Sequence, residues 1–461
     1  MKLLLAASLL CCIIITANAR QRCNCERKLD SLKLFVENNY AGFSARVTTT
    51  GLPAYQAEYD TYRRQAARIN SEKYCYYLLG KWINAFNDKN LHISGGRFAP
   101  DSLPLTVDRV RDLYLKTAAD IEGIYQQGSV YTIAVVKSAR GLRTYAGVII
   151  HSAVGSWQPG HVKLELIPAG YGYYDVIMYG KDYGASRGAT DTTALLAAQG
   201  WKKVGRNVVA APRKVTAAEV LFPEETSGNA YYRQLDSSTG YLRLKSVSAA
   251  SIDSVISAHS GQLRRNARMV LDLRDNNGGT DLVYRSIRPL LYTGPWQLEG
   301  DDFLATPENI RRFEQEVAAA ESLPSGEREK YRQLIHRSDT APGKFIPFTP
   351  DETITLPEVL PYPARIAVIM NRNSAGAAEQ LIIESRKSSK VKRLGEPATG
   401  AADAAGCCHK QFYSPDLILA WPVTRSRRIT AGEVADGKGI QPDVKVDLSR
   451  KGWLEEVLKQ L

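Results

Sequence analysis

Two nearly uninterrupted apolar runs constrain the fold of this chain more than any other feature. They read ARMVLDLRDNNGG (residues 267–279) and ARIAVIMNRN (residues 364–373), and a segment of helical periodicity follows each turn. Strands that are apolar on both sides belong to sheets with both faces covered, and alternation with helices is typical of parallel sheets. The sequence therefore predicts an α/β core over residues 240–448. A polar insertion at 300–350 is either a lid or a surface excursion.

The remainder of the chain divides into segments of different pattern. Residues 20–100 show helical periodicity, with apolar side chains at Leu29, Leu32 and Val36. Residues 101–235 contain short β-rich runs broken by Gly, Pro and Ser, which predict a small antiparallel β domain. Within it, residues 186–206 are expected to form a helix or loop. A C-terminal helix is expected over residues 449–461.

The N-terminus has the composition of a secretory signal peptide. Lys2 precedes the apolar stretch 3–16, and Ala17-Asn18-Ala19 is a small-x-small cleavage site. We therefore expect residues 1–19 to be removed and the protein to be exported to the periplasm or beyond. A retained membrane anchor and lipidation are the alternatives. No later segment is apolar enough to cross a membrane.

Export would make the remaining cysteines candidates for disulfide bonds. The mature chain keeps five, namely Cys23, Cys25, Cys75, Cys407 and Cys408. Because this number is odd, at least one thiol is free or pairs with another chain. Either Cys23 or Cys25 can pair with Cys75, and Cys407 with Cys408. The spacings do not resemble a zinc site, and we expect no metal and no cofactor.

The charge balance gives little indication of a nucleic-acid partner. Lys and Arg total 60 against 48 Asp and Glu, for a net charge of +12. The densest basic run, residues 386–393, lies at a predicted helix end, where it complements the helix dipole. No aromatic residues interleave with this run, so nucleic-acid binding is not expected.

Two strand ends carry candidate chemistry. The first apolar run ends in Gly278 and Gly279, whose backbone N–H groups can face an oxyanion, although Asn-Gly pairs also form ordinary turns. The second ends at Ser374, beside a helix start where the positive end of the dipole favours an anion. Ser374 is either a nucleophile or a helix N-cap.

A serine nucleophile needs a general base. Among the six histidines, His92 is the best candidate because it lies in a polar loop beside Gly95 and Gly96. A loop histidine that makes only local hydrogen bonds is the alternative.

Four ordered motifs resemble the tail-specific, or C-terminal-processing, family of serine proteases. They are ARMVLDLRDNNGG, ARIAVIMNRNSAGAAEQ, LGEPATG and GKGIQPDVKV. The N-terminal CNCERKL and WINAFNDKNLHISGG resemble the secreted, PDZ-less, Bacteroidetes-type branch more loosely. The resemblance implies a ClpP/crotonase-like α/β core and a serine peptidase that acts on peptide or unfolded protein segments.

The same resemblance assigns roles to individual positions. The family glutamate corresponds to Glu379, which joins Ser374 and His92 as a candidate catalytic residue. The oxyanion groups correspond to Gly278, Gly279 and the N–H of Ala377. The nucleophile position, three residues before the glutamate, is Gly376. The lysine that serves as base in one branch corresponds to Ala401, whereas His92 corresponds to the base of the tricorn-like branch.

Two functions of different class follow from these substitutions, and a third rests on composition. Because glycine has no side chain to attack with, the first is a peptide-binding protein with impaired or lost peptidase activity. The second is an active peptidase that uses Ser374 and His92. The third is a glycan- or surface-binding adhesin built on the aromatic residues near Trp157 and 171–174, although tyrosines in sheets usually pack.

Overall fold

The computed structural model describes most of the 461 residues. The described residues are 23–170, 173–190, 196, 200–206, 230–245, 249–276, 285–319, 325–338, 340–431, 438–450 and 452–461. The expected signal peptide, 1–19, and the glycine pair Gly278 and Gly279 lie outside them.

The helices are numbered in chain order. They are α1 (Cys25–Asn39), α2 (Phe43–Thr50), α3 (Leu52–Ala66), α4 (Glu72–Asn84), α5 (Val107–Tyr114), α6 (Ala249–Ala258), α7 (Ser260–Leu263), α8 (Arg288–Leu291), α9 (Pro307–Ala319), α10 (Ser325–Ser338), α11 (Ala377–Ser385) and α12 (Trp453–Leu458).

The strands are numbered in the same way. They are β1 (His92–Gly95), β2 (Gly123–Gln127), β3 (Tyr131–Arg140), β4 (Arg143–Ser152), β5 (Val162–Gly170), β6 (Tyr173–Tyr179), β7 (Ala185–Thr190), β8 (Trp201–Val204), β9 (Ala230–Gln234), β10 (Thr239–Leu244), β11 (Arg268–Asp272), β12 (Trp296–Leu298), β13 (Asp301–Leu304), β14 (Phe345–Pro347), β15 (Glu352–Ile354), β16 (Arg365–Met370), β17 (Val391–Gly395), β18 (Ala404–Gln411), β19 (Leu417–Ser426) and β20 (Val444–Lys445).

A six-stranded sheet forms the centre of the second half of the chain. Its order is β20-β17-β16-β11-β10-β9, and every pair except β10–β9 is parallel. Helices α6, α7, α8 and α11 cover one face, and α12 covers the other. Because both faces are buried, the two apolar runs became the adjacent central strands β11 and β16, and the predicted α/β class is confirmed.

A seven-stranded antiparallel sheet fills most of the β-rich segment, in the order β7-β6-β5-β4-β3-β2-β8. The expectation of a helix or loop over residues 186–206 was wrong at both ends, where β7 and β8 form the sheet edges. Trp157 is only 2% exposed and its indole donates to the Gly180 carbonyl at 3.0 Å. That ring therefore packs inside the fold and offers no platform for stacking a sugar.

The N-terminal helices are joined by a disulfide bond between Cys25 and Cys75. This bond links the first residue of α1 to α4 and resolves the choice left open by the sequence. Cys23, Cys407 and Cys408 are free thiols, so the Cys407–Cys408 pair that the sequence allowed is not formed. The two residues are neighbours on β18, and side chains of successive strand residues point to opposite faces.

The insertion at 300–350 is packed into the fold. Its strand β13 pairs with β19, and the buried Asn309 connects it to two other parts of the chain, at Asn39 and Trp421. The Asn309 amide donates to the carbonyls of Asn39 and Leu304, each at 2.9 Å, and accepts from the Trp421 indole at 2.8 Å. These buried bonds favour a structural role over that of a freely opening lid.

Among the described residues, no helix has the length and apolar character needed to cross a membrane. The same parts of the chain contain no group of three or more His, Cys, Asp or Glu side chains arranged to hold a metal ion.

Candidate active site

The candidate site lies where the parallel strands β11 and β16 end side by side. Asp272 pairs with Ile369 in the register of these strands. Beyond the strands, the Ala375 N–H donates to the Asn276 carbonyl at 2.8 Å. Asn276 is the last described residue before Gly278 and Gly279 in the sequence, and this bond ties the residues that follow β11 to those that follow β16.

Gly376 begins helix α11 and carries no hydroxyl. Its backbone has φ +57° and ψ −122°, in the half of conformational space that favours glycine. A strained strand-to-helix turn is the way many hydrolases expose a nucleophile. Gly376 thus has a backbone conformation that would strain most other residues, and it has no side chain that could attack a substrate.

The hydroxyl of Ser374 is committed to the backbone. It donates to the Leu273 carbonyl at 2.9 Å and accepts from the Asn371 N–H at 3.1 Å. The side chain is 0% exposed. The alternative expectation of a helix N-cap was wrong because Gly376 is the N-cap. Ser374 instead braces the end of β16 against the end of β11.

Glu379 holds the helix start against the turn that follows β17. Its carboxylate accepts from the N–H groups of Gly376 at 3.2 Å, Gly400 at 2.5 Å and Ala401 at 2.9 Å. Burial raises the pKa of this carboxyl, and the three backbone donors oppose the rise. Glu379 is therefore a positioning residue, and Ala401 presents only its methyl group where a lysine was expected from the family.

His92 is the first residue of β1, paired with Ala420 of β19, although its sequence neighbourhood suggested a loop. Its Nδ1 lies 3.2 Å from the Lys89 carbonyl oxygen. A carbonyl oxygen can only accept, so Nδ1 carries the proton and Nε2 keeps a free lone pair. Burial lowers the pKa of His92, which keeps the ring neutral at neutral pH. These are the properties that a general base requires.

His92 and Thr399 line one open cavity of about 600 Å³. The Thr399 N–H donates to the Ser374 carbonyl at 2.9 Å, which places this cavity beside the turn that leads to Gly376. Within the described parts of the chain, no hydrogen bond joins His92 to Ser374. The proposed pairing of these two residues stays a prediction.

The loop that presents His92 is fastened from both sides, which the sequence did not reveal. Asn90 donates its amide to the carbonyls of Ala401 at 3.0 Å and Ala404 at 2.8 Å. Asp88 accepts from the Tyr40 hydroxyl at 2.7 Å and from the Asn90 N–H at 2.8 Å. The polar run FNDKN indicated a hydrogen-bonded loop, but its partners lie far away along the chain and could not be identified from the sequence.

Peptidase family S41 matches residues 238–446 of this chain, which include Gly376 and Glu379 but not His92. The match confirms the family resemblance that the motifs predicted. No curated protein matches this chain significantly.

Two solved structures show a similar fold along nearly the whole chain. Mature CPAF complexed with lactacystin has 14% sequence identity and a TM-score of 0.54, with 95% of this chain and 97% of that chain covered. Mature CPAF alone has 13% identity and a TM-score of 0.50, with 95% and 96% covered. At such identities the likeness concerns the fold.

Proposed function

Residues 238–446 of this chain belong to peptidase family S41, and from that premise we propose that the protein binds extended peptide or unfolded protein segments with impaired or lost serine peptidase activity. We assign binding to the surface at the ends of β11 and β16 and to the adjoining cavity lined by His92 and Thr399, together called the cleft. The reaction that the family name implies is blocked at its first step, the attack of a side-chain oxygen on the peptide carbonyl.

The observation that carries this proposal is that neither Gly376 nor Ser374 presents a free hydroxyl at the start of α11. Gly376 starts the helix but has no oxygen, whereas Ser374 has an oxygen that is buried and donates to Leu273. To act as a nucleophile, Ser374 would have to break this bond and reach solvent. Stabilisation of an oxyanion without a nucleophile leaves roughly 10³- to 10⁴-fold catalysis over water, far below that of a working peptidase.

The surrounding scaffold supports retained binding. Glu379 still fixes the helix start against Gly400 and Ala401, and Asn90 still fastens the His92 loop. These contacts keep the walls of the cleft in place without any need for chemistry at Gly376.

An active peptidase that uses Ser374 as nucleophile and His92 as base is the alternative. The neutral ring of His92, with its proton on Nδ1, favours it. The buried Ser374 hydroxyl opposes it.

We further propose that the protein is exported. The composition of residues 1–19 supports a cleaved leader, and the disulfide between Cys25 and Cys75 supports an oxidising compartment.

The decisive experiment treats the purified mature protein with a fluorophosphonate probe and measures binding of extended fluorescent peptides in parallel. We expect peptide binding and no covalent labelling. Labelling at Ser374 that disappears in both Ser374→Ala and His92→Ala would establish the active alternative. Absence of both labelling and peptide binding would overturn the proposed function.

A further inference from the structure

The cavity lined by His92 and Thr399 has a lysine, Lys89, in its wall. The segment after α4 forms one wall, with the side chains of Asn84, Asn87 and Lys89. The cavity is open and measures about 600 Å³, which is ample for one large side chain of a bound peptide.

Lys89 places an exposed positive charge at the rim of this cavity. The side chain is exposed, and its ammonium donates to the hydroxyl of Thr399 at 3.3 Å. Within the described parts of the chain, no carboxylate lies within ion-pair distance of Lys89. The neighbouring Asp88 is buried and already accepts from Tyr40 and Asn90.

Apart from Asp88, whose buried carboxyl also lines the cavity, the other polar groups of the wall are neutral. Asn84 and Asn87 offer amide donors, and burial lowers the pKa of His92, which favours its neutral ring. A carboxylate that enters the cavity would therefore gain a charge-assisted bond from Lys89 and meet no fixed negative charge except that of buried Asp88.

The cavity also lies close to the start of helix α11. Thr399 is bonded through its N–H to the Ser374 carbonyl, two residues before Gly376. Consider a bound peptide that lies across the start of α11, with one of its carbonyl groups at the helix N-terminus. A residue of the peptide close to that carbonyl would then direct its side chain toward Lys89.

We propose that this cavity is a specificity pocket for an acidic side chain, Asp or Glu, of the bound peptide. The inference rests on the proposed peptide-binding function. It assigns the selection of substrate to Lys89 and leaves the scaffold roles of Glu379 and Asn90 unchanged.

The test uses fluorescein-labelled alanine-rich nonapeptides that carry a single Glu, Gln or Lys at each position in turn. Fluorescence anisotropy gives the affinity for wild type, Lys89→Met, Lys89→Glu and the control Lys202→Met, which changes an exposed lysine on β8. In wild type and in the control, we expect Glu at one position to bind roughly fivefold tighter than Gln there. Lys89→Met should abolish that preference, and Lys89→Glu should replace it with a preference for Lys.

The possible outcomes distinguish failure of the acidic pocket from failure of the proposed peptide-binding function. Peptides that bind wild type without preference for Glu, or a preference that survives Lys89→Met, overturn the acidic pocket alone. Failure of every peptide to bind overturns peptide binding and the pocket together. Circular dichroism of the Lys89 variants checks that they are folded, and exposure of this side chain makes that the expected result.

Discussion

The Ser374 hydroxyl donates a hydrogen bond to the carbonyl oxygen of Leu273 over 2.9 Å. This bond joins two turns that lie 101 residues apart in sequence and side by side in the sheet. The Leu273 N–H in turn donates to the Ile369 carbonyl, which continues the ladder of β11 and β16. The Ser374 side chain thus adds one more hydrogen bond between the two chain segments just beyond the paired strands.

We therefore expect Ser374→Ala to lower stability. The change leaves the buried carbonyl of Leu273 and the half-buried N–H of Asn371 without this partner, at a cost of about 1–3 kcal/mol in the free energy of unfolding. Urea denaturation measures the loss. Ser389→Ala, at an exposed serine, is the control and should change the value by less than about 0.5 kcal/mol. Equal stability of the two variants would contradict the bracing role.

We expect Gly376→Ser to make position 376 reactive. The new hydroxyl would sit at the helix start, and the neutral His92 would be the base. We expect labelling of residue 376 by a fluorophosphonate probe, and its loss in Gly376→Ser/His92→Ala. Gly376→Ala is the matched control, because it adds the same Cβ at φ +57° without an oxygen.

Both substitutions should cost about 1–3 kcal/mol of stability, since an L-residue is disfavoured in that conformation. A folded Gly376→Ser that stays unlabelled would show that a hydroxyl at position 376 is not sufficient for reactivity.

The sequence predicted those parts of the fold that depend on local pattern. Apolar runs without alternation were enough to predict central parallel strands, and hence the meeting of the two strand ends. The role of Ser374 was not predictable in this way, because its acceptor, Leu273, belongs to the neighbouring strand end. His92 was assigned to a loop because its strand partner, Ala420, is more than 300 residues away.

The error over residues 186–206 has the same origin. The local sequence favours a helix or loop, but Arg187 lies opposite Ile177 in the antiparallel pair of β6 and β7. Sheet pairing and burial override weak local propensity. Positions of short strands at a sheet edge therefore depend on partners that a local pattern does not contain.

Asp88 should make stability depend on pH. Burial raises the pKa of this carboxyl to about 6, and the nearby Asp403 also raises it, whereas Tyr40 and Asn90 oppose the rise. The unfolded value is about 3.9. Because the folded pKa is the higher one, folding favours the protonated form. The contribution of Asp88 to stability is therefore complete below pH 3.9 and is lost as the pH rises through about 6.

The measurement compares wild type with Asp88→Asn in urea at pH 4, 5, 6 and 7. At about 1.4 kcal/mol per pKa unit, the stability of wild type relative to the variant should fall by about 2–3 kcal/mol between pH 4 and 7. Glu379, whose pKa is also raised, is present in both proteins and cancels in this difference. A difference that stays flat with pH would contradict the assignment.

The disulfide between Cys25 and Cys75 should be a major source of stability for the N-terminal helices. The two residues are 50 positions apart, and closing a loop of that length in the unfolded chain corresponds to about 4 kcal/mol in the chain-entropy description. We expect Cys25→Ala/Cys75→Ala to lower the free energy of unfolding by about 2–4 kcal/mol, and dithiothreitol to have the same effect on wild type alone.

Cys23 tests whether this pairing is specific. Burial raises the pKa of its thiol to about 11, with Glu72 adding to the effect, so little thiolate exists to attack the neighbouring disulfide. Cys23→Ala should therefore leave the Cys25–Cys75 peptide intact in non-reducing mass spectrometry and retain the sensitivity of stability to dithiothreitol. A major Cys23–Cys75 peptide in wild type would contradict the pairing, because it would show that the thiol exchanges with the disulfide despite its burial.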